Sequence, residues 1–137
     1  MTHGQLAAEL LNSAEMIVGE LPQFAAVSIG WHEDVDQARQ EIERAIERVR
    51  QRAGGTPGQP AAVLILADMF GGTPANLAVT FVEAGKVEVI TGVNLAMLIK
   101  LARPPKEADL LALAREIREH GRNAVWVASD LLRGQKA

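Results

Sequence analysis

The sequence contains no cysteine and no tyrosine, and only two tryptophans and three phenylalanines among its 137 residues. Without cysteine there is no disulfide scaffold, no thiolate metal site and no cysteine nucleophile, which fits a reducing, cytoplasmic setting. The scarcity of aromatics leaves few platforms for stacking bases. A basic field is also lacking: 14 Lys and Arg against 17 Asp and Glu give a formal charge of −3, so nucleic acid is not an expected partner. No apolar run approaches the ~18 residues that a membrane span needs. The first twenty residues lack a basic leader, and Glu9, Glu15 and Glu20 interrupt their apolar positions, so these residues are not expected to act as a secretion signal.

What is present is ample apolar material, 48% of the chain, enough for one domain with a real core. Leu6, Leu10, Leu11, Ala14, Ile17 and Val18 recur at helical spacing and Gly19 stops that helix. Residues 25–29 read as a strand. A second helix starts after Asp34, with Gln37 placed to close a capping box, and carries the stripe Val35, Ala38, Ile42, Ala45, Ile46 and Val49. The run at 61–67 is continuously apolar, as in a strand covered on both faces of a parallel sheet. Thr73 and Pro74 predict the cap and first residue of a helix over 75–84, and Gly85 ends it. A strand over 86–90, a short helix over 95–101, a helix over 107–120 capped by Gly121, and a last strand over 124–128 follow. A polar tail covers 130–137. The alternation predicts a doubly wound, mainly parallel open sheet with helices on both faces, as a single domain over 1–137. In such sheets ligands sit at the carboxyl ends of the strands.

The most informative segment is Asp68-Met69-Phe70-Gly71-Gly72-Thr73-Pro74. A carboxylate ends the most buried strand, two glycines allow a sharp turn, and a helix start follows whose amides favour an anion. That combination suits phosphoryl transfer; a plain tight turn with a solvated aspartate is the alternative. His3 lies just before the first helix, whereas His32 and His120 read as surface residues. There is no Walker lysine after the glycines at 54–58, no G-x-G-x-x-G, no H-E-x-x-H and no serine-hydrolase elbow.

Thr2-His3-Gly4-Gln5-Leu6-Ala7 followed by Ala14-Glu15-Met16-Ile17-Val18-Gly19 resembles the start of the IIA domain of the mannose/fructose-type bacterial phosphotransferase system. Asp68 to Asn76 and Thr91-Gly92-Val93-Asn94-Leu95 match that family's other two signatures, in order, and the similarity runs over essentially the whole chain. The resemblance implies a cytoplasmic phosphotransferase with a phosphohistidine intermediate. His3 would take phosphate from the histidine-containing phosphocarrier protein and pass it to a IIB partner, and Asp68 would bond one ring nitrogen and leave the other as nucleophile. Gly71, Gly72 and Thr73 would hold the phosphoryl oxygens, with Thr2, Phe70 and Asn94 nearby. No metal or organic cofactor is implied, and the membrane enters only indirectly, through a permease. A purely regulatory phosphorelay, the phosphotransferase subunit serving dihydroxyacetone kinase, and a non-catalytic binding module of the same fold are the other readings. Family members dimerise through the last strand, which implies a homodimer, with that strand antiparallel or exchanged between subunits.

The sequence departs from the family at two points. Ala96 stands where the family commonly has proline, and the family's apolar first strand, about seven residues ahead of the histidine, is not in this chain. The family usually has valine before Thr-His-Gly, which suggests that Met1 is not the native start. A sheet lacking a central strand is expected to rearrange. Either 25–29 closes against 61–67 or another chain's segment enters, and His3 then lies away from Asp68 and accepts phosphate poorly.

Overall fold

The computed structural model describes residues 1–30, 34–105 and 109–134. Strand β1 (Thr2–His3) turns through Gly4, at φ 52°, into helix α1 (Leu6–Val18). The residue before α1, Gln5, supplies no side-chain cap. Thr2 does that job from the strand: its buried hydroxyl accepts the Ala7 amide at 2.7 Å. Gly19, at φ 91°, ends the helix as expected. Of the anticipated stripe, Ala14 is fully buried, but Leu6, Ile17 and Val18 are exposed.

Strand β2 (Ser28–Ile29) is shorter than the five residues expected, because only these two lie opposite Thr2 and His3; the pairs are Thr2↔Ser28 and His3↔Ile29, parallel. Helix α2 (Val35–Arg52) is capped by Asp34, whose carboxylate accepts the Asp36 amide; the box with Gln37 is not formed. Ala38, Ile42, Ala45 and Ile46 are its buried face.

Strand β3 (Val63–Ala67) pairs in parallel with β4 (Val87–Thr91), Val63 opposite Val87 and Ala67 opposite Thr91. Between them lies α3 (Thr73–Val79), capped by Gly72, so Thr73 opens the helix instead of preceding it. The helix α4 (Leu95–Leu101) has the expected limits, with the Asn94 side chain accepting the Met97 amide. Helix α5 (Leu110–Asn123) is capped by Asp109. Residue 107, its expected start, lies outside the described residues, and Gly121 sits inside the helix, not beyond it. A β-carbon at Gly121 would come within 2.3 Å of the Met97 side chain, so this glycine lets α5 approach α4.

Alternate residues of β3 face different helices, which is why the run is continuously apolar. Val63 and Ile65 pack with Ile42 and Ile46 of α2 and Leu77 of α3. Leu64 and Leu66 pack with Met97 and Ile117 of α4 and α5. The described residues therefore form an α/β arrangement with parallel strand pairs.

Two expectations are corrected. Residues 124–128 form no strand: 124–127 run without regular pairing and α6 (Ala128–Leu132) follows. A strand needs a neighbour, and among the described residues this segment pairs with none; Val125 and Val127 are 68% and 66% exposed. Nor does 25–29 close against β3. Met1 to His3 hold the two apart with donors that alternate in direction. The amides of Thr2 and Gly4 reach Val27 O and Ile29 O, both at 3.0 Å. The Met1 amine reaches Leu66 O at 2.6 Å, and the His3 amide reaches Asp68 Oδ2 at 2.9 Å.

Candidate functional site

The site is built where β1 and β3 end side by side. Because β1 lies alongside β3, its last residue meets the residue that follows β3, and this brings His3 to Asp68. The His3 ring nitrogen Nδ1 stands 2.6 Å from Asp68 Oδ2, the oxygen that also accepts the His3 amide. The other carboxylate oxygen accepts the Met69 amide at 2.9 Å. The expected separation of His3 from Asp68 is thus overturned.

Asp68 is held as a carboxylate. Burial, the largest influence, raises its pKa, but the hydrogen bonds from the His3 amide and ring and from the Met69 amide together outweigh it, and the net shift is downward from 3.8. Its side chain is 12% exposed while that of His3 is 53% exposed, so the carboxylate is sheltered and the ring is open to solvent. Nearby, burial lowers the pKa of the Met1 amine from 8.0 to about 6, opposed by attraction to Asp68.

The two glycines of the turn serve different ends. Gly71 adopts φ 84°, which favours glycine on steric grounds. Gly72 has an ordinary φ of −81°, but a β-carbon there would lie 2.8 Å from His3 Cε1 and 3.5 Å from Nε2. The loop therefore runs against the edge of the ring that carries the free nitrogen. Thr73, next in the chain, is exposed with α3 behind it. Phe70 and Met69 are exposed beside them, an apolar rim on a polar centre.

Thr2 supports the pair from below, fully buried, accepting the Ala7 amide and donating to His3 O at 3.1 Å. Asn94 is engaged elsewhere: besides capping α4 it donates to Gly121 O at 2.9 Å, tying α4 to α5. Its loop still reaches the site region, through the Gly92 and Val93 amides on Ala67 O. His120 lies in the last turn of α5, and His32 is outside the described residues. The close approach of Gly72 and the burial of the Met1 amine had no sequence signal, since both depend on which strands become neighbours. Among the described residues no cluster of three His, Cys, Asp or Glu could hold a metal, and no helix is long and apolar enough to cross a membrane.

A histidine and a sheltered carboxylate thus stand together at the carboxyl ends of parallel strands, beside a glycine turn. The family described as "PTS system fructose IIA component" matches residues 1–118, and the chain belongs to that family. It is 35% identical over 129 residues to the "PTS system mannose-specific EIIAB component" of Escherichia coli K12, covering 90% of this chain and 38% of that protein. It is 33% identical over 101 residues to the sorbose-specific EIIA component of Lacticaseibacillus casei, 73% of this chain and 67% of that one. The mannose/sorbose-specific IIA subunit of Enterococcus faecalis superposes with a TM-score of 0.72 at 34% identity, over 93% of this chain and 89% of that structure. The chain spans under two fifths of the E. coli relative's length and about two thirds of the L. casei one.

Proposed function

We propose that the chain is a cytoplasmic phosphoryl carrier that accepts phosphate on His3 from the histidine-containing phosphocarrier protein and passes it to a IIB partner. The observation that carries this reading is the 2.6 Å contact between His3 Nδ1 and Asp68 Oδ2. A carboxylate at Nδ1 favours the tautomer with its proton there, leaving the lone pair on Nε2, the nitrogen at the exposed edge. That pair attacks the phosphorus, a new N–P bond forms, and the N–P bond to the donor's histidine breaks with its electrons returning to the donor ring. The resulting phosphoimidazole keeps its Nδ1 proton against Asp68, which offsets the ring's positive charge. Thr73 and the Gly71 and Gly72 backbone hold the phosphoryl oxygens.

The arrangement is read as a doubly wound sheet in a homodimer. The unpaired apolar segment 124–127, with Trp126 41% exposed, supports association through that edge. Light scattering at micromolar concentration tests it, and a monomer throughout rejects it.

The functional test is incubation with the phosphorylated carrier protein. The full chain is expected to gain an acid-labile, base-stable label, retained by His32→Ala and His120→Ala and lost by His3→Ala. Label persisting in the His3 variant overturns the assignment, and no label on the unaltered chain favours a non-catalytic binding module.

A further inference from the structure

The last turn of α5 is weakly closed. Two amides there bond three residues back instead of four, Ala124 N to Gly121 O and Val125 N to Arg122 O. Both bonds are 3.3 Å, longer than is usual for an N–H donor. Directly beyond lies 124–127, the apolar segment that has no strand partner among the described residues. An amide cannot serve a helix end and an extended ladder at once. Straightening 124–127 into a strand therefore withdraws the Ala124 and Val125 amides from the two carbonyls they close.

The two carbonyls differ in their surroundings. Arg122 is exposed, so water can take the place of the lost donor. Gly121 is buried against Met97 so closely that a β-carbon would not fit, and its carbonyl would be left unsatisfied. It has a second donor, however: Asn94 Nδ2 at 2.9 Å, the shorter of its two bonds. Asn94 is itself held, because its Oδ1 accepts the Met97 amide at 3.1 Å at the start of α4. The Gly92 and Val93 amides just before it both reach Ala67 O, next to Asp68. The loop that closes α5 is thus anchored to the strand that carries the site.

We propose that Asn94 is a positioning residue for self-association. It keeps Gly121 O bonded while the last turn of α5 opens and 124–127 straightens to pair with a second copy of the chain. The inference rests on the homodimer reading above and deepens it. In the single chain Gly121 O has two donors, and in the paired chain only Asn94 remains. Loss of the Asn94 donor therefore penalises the dimer and largely spares the monomer, which is the differential that shifts an equilibrium. Aspartate or serine would cap α4 equally well; asparagine adds an amide donor to that acceptor.

The test is sedimentation of the full chain and of Asn94→Asp over a concentration series. The variant keeps an acceptor for the Met97 amide and lacks the donor for Gly121 O. Its dimer dissociation constant is expected to rise about tenfold or more. Hydrogen exchange at the Met97 amide, measured on dilute monomer, should match that of the unaltered chain, because the α4 cap is retained. Should Asn94→Asp fail to fold, Asn94→Ser, in which the amide donor is likewise absent, is expected to show the same rise. An unaltered chain that stays monomeric overturns the homodimer reading and this proposal together. A dimer whose dissociation constant is unchanged in the folded variant overturns the proposal alone.

Discussion

The two ends of the same inter-strand gap are built on opposite terms. At the carboxyl end, Met1 to Gly4 make hydrogen bonds alternately to both sides, and the last residues converge on a carboxylate whose two oxygens accept three bonds. At the amino end the same neighbours enclose an apolar cavity, with Val27, Leu64 and Leu66 among its walls. The polar end is organised to hold one ring in one orientation, and the apolar end is lined by packing side chains. The lesson is that the His3–Asp68 pair is set where two strand ends meet. Thr2 and His3 pair with β2 and the His3 amide bonds Asp68, so backbone direction at the strand end decides where the ring goes.

The largest expected effect concerns the polar end. Asp68→Asn keeps the shape and removes the charge that fixes the ring and its proton, so transfer should slow by about 10²-fold or more while the fold persists. Transfer slowed to that degree with unchanged circular dichroism meets the expectation; an unchanged rate would reduce Asp68 to a turn residue.

The pH dependence of stability separates the ends next. The Met1 amine has its pKa lowered from 8.0 to about 6. Between those values the unfolded chain binds more protons than the folded one, so stability rises with pH over 6 to 8, by up to roughly 2–3 kcal/mol. Asp68 acts in a lower window: its depressed pKa contributes stability above 3.8 that is lost as pH falls through the folded value. Urea unfolding at pH 6, 7 and 8 checks the first claim, and a flat profile would mean that the amine is solvated.

Thr2→Val preserves volume at a fully buried position but leaves the Ala7 amide without its acceptor. It should cost about 1–3 kcal/mol, measured by the same unfolding, with a smaller effect on transfer because the His3 contacts remain. Gly72→Ala is the mildest. Its backbone tolerates alanine, but the new methyl would press on His3 Cε1 from 2.8 Å, so stability should barely change while transfer falls about tenfold. If transfer is unaffected, the loop gives way and the ring is not confined by it.

The helices were largely legible in the sequence. Asp34 caps a helix where read, Gly19 ends one, and α4 has the limits its apolar run indicated. The strand–turn–helix around Asp68 was legible too, from a buried run, two glycines and a proline. Strands were read less well. Residues 124–128 have the composition of a strand and form none, 25–29 pair only at Ser28 and Ile29, and Thr2–His3, not read as a strand at all, is one. Gly121 looked like a helix end and lies within α5, where its small size serves contact with Met97.

By itself the sequence determined what depends on neighbours a few residues apart: helix caps, amphipathic stripes, the positive-φ turn at Gly71, and the family to which the chain belongs. Only the tertiary structure decided that His3 stands against Asp68, 65 residues away, that Gly72 touches the ring, and that β2 and β3 stay apart around a cavity. The physical reason is that a helix satisfies its backbone within one segment, whereas a strand is completed by whatever lies beside it. Its existence, its length and the residues at its end are properties of the pair.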